Sequence, residues 1–281
     1  MLAAARALIT RPEPEAGQWV QALAARGIAA VALPLIAIAP TRDPSALALA
    51  QSRLADYAAV MVVSGNAARY FFESNQALAL MQQAQAAIKT RVWSPGPGTA
   101  HVLQTLGVPP ERIDQPAQDA PQFDSESLWA RVGPGVQPGD RVLVVRGTEI
   151  GKSGNGGASE SNKDGASASG SGRDWLSAQI RAAGGEVDFA VAYTRAAPQF
   201  TQGELALAKS AAAAGGPLWV LSSAQALNHL LAALPDQPWA GARALATHPR
   251  IAQAARAAGF GGVVECRPAL ADVAASIESL T

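Results

Sequence analysis

The sequence predicts an α/β protein with two similar lobes, each built around a parallel sheet. The chain has 281 residues, of which 49% are hydrophobic, and at roughly 150 residues per domain this length favours two domains. Short β-rich runs alternate with longer alanine-rich amphipathic stretches that end in glycine, a rhythm typical of parallel strands covered by helices. Three units also recur in the same order in the two halves of the chain.

Apolar runs and capping residues predict the individual elements. Strands are predicted at residues 60–63, 142–145 and 218–221. Asp43 and Pro44 predict a cap and an N1 proline at the start of a helix. Glycines predicted to follow helices at the C′ position are Gly27, Gly107, Gly184 and Gly259.

The internal repeat indicates a duplication. The opening segment is similar to the segment around Trp175, and each reads strand, arginine turn, helix, glycine, strand. A buried strand before Ser64 matches one before Ser222, and "VWSPGPGTAHVLQTLG" matches "ALATHPRIAQAARAAG". Chance similarity between alanine-rich helices is the alternative explanation.

One segment interrupts this rhythm. Residues 152–172 are dominated by Gly, Ser, Ala, Asn and Asp, a composition too polar to pack. It predicts a loop insertion at about 149–172, between a strand that ends at Arg146 and a helix that begins near Arg173. A lid over a site and a tolerated surface insertion both remain open.

Charge and composition exclude several functions. Lys plus Arg and Asp plus Glu both total 22, so no general field favours nucleic acid or an acidic membrane. Residues 1–11 lack a signal-peptide pattern, and no apolar run approaches the roughly 20 residues of a membrane span. A single cysteine, Cys266, fits a reducing compartment. We therefore expect a cytoplasmic protein, and separately we expect a monomer.

Metal and nucleotide sites also lack support in the sequence. His101, His229 and His248 are scattered, so no metal is expected. "GTEIGKS" is one residue short of a P-loop, and "GPGTAH" lacks the third glycine of a dinucleotide fingerprint. No cofactor is predicted.

Strand-to-helix turns that carry hydroxyl, amide and glycine residues are the remaining candidates for a site. Helix N-termini bind anions through free N–H groups and the helix dipole, and an adjacent arginine adds a charged contact. For Ser64, Thr99 and Ser222, simple helix capping is the alternative. The candidate binding residues are Thr10, Arg11, Ser64, Gly65, Asn66, Gly98, Thr99, Arg146, Gly147, Ser222, Ser223, His248 and Arg250.

These motifs resemble the uroporphyrinogen-III synthase family. The resemblance rests on "LITRP" with "LPLIAIAP", "DYAAVMVVSGNAARYF", "GPGTAHVLQTLG", "GDRVLVVRG", "GRDWL", "VAYTRAAP" and "ATHPRIAQAARAAGF", in the family's order. It implies flavodoxin-like or Rossmann-like lobes joined by a two-stranded β-ladder, with a substrate cleft between them. One lobe would hold residues 1–36 and 198–281, the other 40–193, and the crossing strands would lie near 35–39 and 192–196.

The resemblance also implies an activity. The family's enzymes are lyases that cyclise hydroxymethylbilane, with loss of water and inversion of ring D, to uroporphyrinogen III in haem biosynthesis. They need no cofactor, because the substrate itself generates the reactive cation and the protein holds its folding. Hydroxymethylbilane is then the expected partner, and a transient contact with hydroxymethylbilane synthase stays open.

Two positions take their roles from this resemblance. Tyr193 matches a family tyrosine near the cleft, whose hydroxyl would assist or orient the departing water; aromatic packing is the alternative. Arg250 stands where relatives often carry a hydroxyl, so it would meet a substrate carboxylate or remain solvated. The competing function is a non-catalytic two-lobed binding protein for a small anionic ligand.

Overall fold

The computed structural model describes residues 6–73, 89–120, 122–149 and 171–280. The chain divides into two compact units. The first unit consists of Met1–Ile38 and Ala196–Thr281, and the second consists of Ala39–Arg195. The chain therefore enters the second unit after Ile38 and leaves it after Arg195.

Strands and helices alternate along the described residues. The strands are β1 (Ala7–Ile9), β2 (Ala30–Ala32), β3 (Ala37–Pro40), β4 (Ala59–Val62), β5 (Arg91–Trp93), β6 (Ile113–Asp114), β7 (Arg141–Glu149), β8 (Glu186–Ala196), β9 (Leu218–Leu221), β10 (Arg243–Ala246) and β11 (Gly262–Glu265). The helices are α1 (Glu15–Ala24), α2 (Pro44–Ser52), α3 (Gly65–Phe72), α4 (Pro97–Thr105), α5 (Ser125–Val132), α6 (Ser171–Ala182), α7 (Gln202–Ala211), α8 (Ala224–Ala233), α9 (Pro249–Ala257) and α10 (Leu270–Leu280).

The first unit is built on a sheet in the order β11-β10-β9-β1-β2, with parallel pairing throughout. Side chains of a strand alternate between the two faces of its sheet. Trp219 and Leu221 of β9 therefore pack with helices α7, α8 and α9 on one face, and Val220 packs with α1 and α10 on the other. Both faces are buried, which explains why the strands are nearly all apolar.

The second unit is built on a sheet in the order β3-β8-β7-β4-β5-β6, in which β8, β7, β4, β5 and β6 pair in parallel. Met61 and Val144 pack with α5 and α6 on one face. Val60 and Val145, whose side chains face the other way, are also fully buried. The predicted fold class of two parallel-sheet α/β lobes is thus confirmed.

Several local predictions from the sequence are also confirmed. Asp43 caps α2 by accepting a hydrogen bond from the Ala46 N–H, and Pro44 opens the helix. The glycines predicted at C′ positions all have φ between 75° and 94°. Only glycine adopts this left-handed conformation without steric cost, which is why it ends these helices.

The prediction that a strand ends at Arg146 is wrong. Strand β7 continues to Glu149, which pairs with Arg195 of β8. Arg146 and Gly147 therefore lie inside the strand, where β8 supplies hydrogen-bond partners, and do not form a strand-to-helix turn. Nearly all of the insertion predicted at about 149–172 lies outside the described residues.

Two kinds of feature are absent from the described residues. None of the helices in the described ranges combines the length and the apolar character that a bilayer crossing requires. Likewise, these residues include no group of three His, Cys, Asp or Glu side chains that could hold a metal ion.

Candidate functional site

Tyr193 and Ser64 meet at the carboxyl edge of the second unit's sheet. Ser64 follows β4, and its Oγ caps α3 by accepting a hydrogen bond from the Ala67 N–H at 3.2 Å. Tyr193 lies on β8 and is only 5% exposed. Its Oη is 3.1 Å from the Oγ of Ser64, and either hydroxyl can be the donor in this hydrogen bond.

Gly147 leaves the space that the Tyr193 ring occupies. The two residues are partners across the β7–β8 ladder, just after a register shift. Because Arg146 pairs with Val191 and Gly147 pairs with Tyr193, Ala192 is an extra residue in β8. A Cβ placed on Gly147 would lie 2.4 Å from both Cε2 and Cζ of Tyr193. No side chain other than hydrogen fits at position 147 while the ring stays in place.

A second tyrosine packs on Tyr193. The rings of Tyr70 and Tyr193 are stacked, with centroids 6.0 Å apart and planes inclined by 19°. Burial, and to a smaller extent the Glu73 carboxylate, raises the pKa of Tyr70 above its usual value. Tyr70 is therefore a neutral ring at physiological pH. It lies on α3, the helix that Ser64 caps, so one helix carries both the Ser64 hydroxyl and the stacking ring.

Three other candidate binding residues of the second unit lie in different surroundings. Gly65 and Asn66 are buried in the first turn of α3. The Arg146 guanidinium lies over the Phe189 ring, 4.6 Å from its centroid. A cation–π contact of this kind holds the guanidinium plane on one side and leaves its edge available to an anion.

The turn after β5 presents an open helix N-terminus. Gly96 is the N-cap of α4 and offers no side-chain acceptor, while the Ser94 hydroxyl donates to the Gly96 carbonyl at 2.7 Å. Gly98 is exposed and Thr99 is half-buried in the first turn. A Cβ on Gly98 would meet no other atom within 4 Å. Backbone N–H groups in such a turn suit a carboxylate.

In the first unit, Thr10 and Arg11 already have partners. Thr10 is fully buried, and its Oγ1 donates to the Val220 carbonyl at 2.6 Å. Nη1 of Arg11 is 3.1 Å from Oε2 of Glu15, and the guanidinium lies 4.0 Å from the Trp19 ring centroid. The hydroxyl of Thr10 thus joins neighbouring strands, and the charge of Arg11 is balanced by Glu15.

The two other turns of the first unit are capped by side chains. Ser223 caps α8 by accepting from the Ala226 N–H at 3.3 Å, so the cap is one residue later than Ser222. His248 caps α9, because its Nδ1 accepts from the Arg250 N–H at 3.1 Å. Ser222 is half-buried and Arg250 is exposed.

Sequence reasoning missed two residues at the site of the second unit, Tyr70 and Ser94. Tyr70 is six positions after Ser64 in a helical pattern, and nothing in that spacing indicates a stack on a residue of a distant strand. Ser94 precedes the turn "PGPG", and a serine two residues before an uncapped glycine is a weak signal of a turn. The contact between Ser64 and Tyr193, which are 129 positions apart, has no sequence signal.

Cys266 lies beside Arg11 and Asp272 after β11. Burial, then the Asp272 carboxylate, raises the pKa of Cys266 to about 12. The reactive thiolate is therefore suppressed in the folded state. Unfolding exposes the thiol and returns its pKa to a lower value. The stabilisation from the neutral thiol of Cys266 is therefore fully present below the pKa of the unfolded chain, and it is lost as the pH rises toward the folded-state pKa of about 12.

We expect iodoacetamide to alkylate the native protein at pH 8 more than about 10-fold more slowly than the urea-unfolded protein. Mass spectrometry of the labelled chain measures this directly, since Cys266 is the only cysteine. Equal rates for the native and unfolded chain would contradict the suppressed thiolate.

The fold and site define a two-unit α/β protein whose parallel strands end in hydroxyl-bearing turns and helix N-termini. Within this class of protein, the chain is similar to one family. The family model described as uroporphyrinogen-III synthase HemD matches residues 17–153. A uroporphyrinogen-III synthase of Chlorobaculum parvum (strain DSM 263 / NCIMB 8327) is 29% identical over 145 residues, which are 50% of this chain and 52% of that protein. The chain thus matches about half the length of this relative.

Solved structures share the fold. Uroporphyrinogen-III synthetase from Helicobacter pylori 26695 aligns over 99% of this chain and 100% of its own, with a TM-score of 0.52 and 13% identity. A mutant uroporphyrinogen III synthase from the extremely thermophilic bacterium Thermus thermophilus aligns over 99% and 97%, with a TM-score of 0.50 and 17% identity. The chain is thus similar to uroporphyrinogen-III synthases in sequence over residues 17–153 and in fold over nearly its whole length.

The family-model match does not reach every candidate residue. It includes Ser64, Gly98 and Gly147 but ends at residue 153, before Tyr193. At the identities of the solved structures, the similarity describes the fold alone. The role of each site residue therefore rests on that residue's own contacts.

Proposed function

We propose that this protein is a uroporphyrinogen-III synthase, a lyase that cyclises hydroxymethylbilane to uroporphyrinogen III with loss of water. The match of residues 17–153 to the family model and the similarity to a curated uroporphyrinogen-III synthase carry the proposal. The geometry that supports it is the Tyr193 hydroxyl held by Ser64 beside the first turn of α3. We also propose that the protein acts in the cytoplasm as a monomer, with or without a transient contact with the enzyme that supplies its substrate.

The reaction places two demands on the protein. Loss of the terminal hydroxyl as water generates an electrophilic azafulvene, and ring closure then proceeds through a spiro intermediate that inverts ring D. The substrate supplies the cation, so the protein must hold the chain in the conformation that leads to inversion. It must also orient the departing hydroxyl.

The described residues offer groups for both tasks. The uncapped first turn of α4 at Gly98 and Thr99 offers N–H groups to a substrate carboxylate. Arg146, held against Phe189, offers a charged contact in the same unit. The Tyr193 hydroxyl is the group we assign to the departing hydroxyl, which it orients through a hydrogen bond. No cofactor takes part in this scheme.

The test is to supply freshly generated hydroxymethylbilane to the purified protein after treatment with a chelator. The type III and type I isomers are then separated after oxidation. We expect type III to predominate. If only spontaneous type I forms while hydroxymethylbilane still binds, the protein is a non-catalytic binding protein and the proposal fails.

Tyr193→Phe is expected to lower kcat about 3- to 10-fold without abolishing activity, because a single hydrogen bond contributes about 0.5–1.5 kcal/mol. The measurement is the initial rate of type III formation. Tyr57→Phe is the matched control, since Tyr57 is another buried tyrosine of the same unit and its hydrogen bond is to Asp188. Full activity of Tyr193→Phe would remove the hydroxyl from the mechanism.

A further inference from the structure

We propose that Ser64, Gly147 and Tyr70 are positioning residues for Tyr193, and that the Ser64 hydroxyl donates to Tyr193 Oη and leaves the phenolic hydrogen for the substrate. The inference rests on the proposed function and deepens it. It also gives Ser64 and Gly147 a role other than direct substrate binding.

The backbone first determines where the ring points. Ala192 is the extra residue at the register shift, and such a bulge reverses the alternation of side chains beyond it. The shift therefore sets the sheet face on which Tyr193 lies. Gly147, directly opposite, lacks the Cβ that would overlap the ring at 2.4 Å. The ring thus lies against the backbone of β7.

Tyr70 then restricts the ring from a second element. The stacked rings are 6.0 Å apart, within the range of favourable aromatic pairs. Because burial raises the pKa of Tyr70, this neighbour stays uncharged near neutral pH. With β7 and Tyr70 both in contact, the hydroxyl of Tyr193 has little freedom to move.

The cap geometry favours one direction of the hydrogen bond. Ser64 Oγ already accepts from the Ala67 N–H and lies at the positive end of α3. Accepting one hydrogen bond polarises a hydroxyl and makes it a stronger donor, and the helix dipole acts in the same sense. The Ser64 hydrogen therefore points to Tyr193 Oη. The phenolic hydrogen remains free to meet the departing hydroxyl of the substrate.

The first test needs no substrate. The chain has three tyrosines, so a sample labelled with carbon-13 at tyrosine Cζ gives three NMR resonances, and Tyr193→Phe identifies that of Tyr193. Ser64→Gly removes the Oγ, and glycine is tolerated at an N-cap. We expect it to shift the Tyr193 resonance, whereas Ser64→Thr, which restores a hydroxyl, returns the resonance toward its wild-type position. An unchanged resonance in Ser64→Gly would overturn the proposal.

Thr201→Ala is the matched control for the loss of a cap. Thr201 caps α7 through a hydroxyl that accepts from the Glu204 N–H, and it lies in the first unit. This variant is expected to leave the Tyr193 resonance and kcat unchanged. Circular dichroism verifies that every variant is folded.

The second test is a double-mutant cycle on type III formation. We expect Ser64→Gly to lower kcat about as much as Tyr193→Phe, with KM within about twofold, and to have no further effect in the Tyr193→Phe background. If Tyr193 were the donor, Ser64→Gly would release the phenolic hydrogen, and kcat would stay the same or rise. A raised KM with unchanged kcat would identify Ser64 as a substrate ligand, and either result would overturn the proposal.

Failure of the proposed function is recognisable separately. In that case the wild-type protein forms only type I uroporphyrinogen, while the Tyr193 resonance still responds to Ser64→Gly. In contrast, type III formation by the wild type together with an unresponsive resonance rejects the positioning role alone.

Discussion

Gly147→Ala is expected to lower kcat for type III formation about 10-fold, as much as removal of the Tyr193 hydroxyl does. The added Cβ would lie 2.4 Å from the Tyr193 ring, so the ring must leave its position against β7. The displaced hydroxyl loses its hydrogen bonds to Ser64 and to the substrate, so the rate loses the contribution of that positioned group. The measurement is kcat together with the ratio of type III to type I product.

Gly135→Ala is the control for this substitution. Gly135 is an exposed glycine of the same unit, and a Cβ there would meet no other atom within 4 Å. It should leave both kcat and the melting temperature unchanged. A Gly147→Ala protein that keeps wild-type kcat would show that the ring need not lie against β7.

A second variant separates displacement of the ring from general damage to the fold. Gly147→Ala combined with Tyr193→Ala removes the overlapping atoms. We expect the double variant to have a melting temperature close to that of the wild type, but to recover none of the activity that Gly147→Ala loses. If the double variant has a melting temperature no higher than that of Gly147→Ala, the loss of stability does not come from overlap with the Tyr193 ring.

Trp219→Ala is expected to lower the free energy of unfolding of the first unit by about 3–5 kcal/mol. Trp219 is fully buried at the centre of its sheet. Its ring packs edge-on against Trp239 and Phe260, with centroids 5.6 and 6.1 Å away. Its Nε1–H donates to the Ala211 carbonyl of α7 at 3.1 Å. Truncation leaves a large cavity and an acceptor without its donor.

Urea unfolding followed by circular dichroism measures this loss. Leu49→Ala is the control, because Leu49 is 59% exposed and its truncation should change stability by no more than about 0.5 kcal/mol. Trp219→Phe should lie between the two, since it keeps most of the ring packing but loses the Nε1–H donor. Equal stability of the wild type and Trp219→Ala would contradict the packing of this core.

The sequence determined the features that depend on neighbouring residues. The cap at Asp43, the left-handed glycine after α1 and the apolar run of β9 follow from local backbone sterics and side-chain periodicity. The fold class follows as well, because apolar strands that alternate with amphipathic helices bury their surfaces in only a few layered arrangements. The family resemblance likewise rests on short motifs in a given order.

Only the tertiary structure decided how separated segments meet. Strand β7 runs past Arg146 because β8 offers it hydrogen-bond partners, and residues 141–149 alone contain no trace of that partner. The Thr10 hydroxyl donates a hydrogen bond to the Val220 carbonyl, and the hydroxyls of Ser64 and Tyr193 are hydrogen-bonded to each other. These contacts join positions more than a hundred residues apart, so they depend on strand order and register, which local propensity does not specify. Most residues of the candidate site, though not Tyr70 and Ser94, were visible in the sequence, whereas their contacts came from the packing of the sheets.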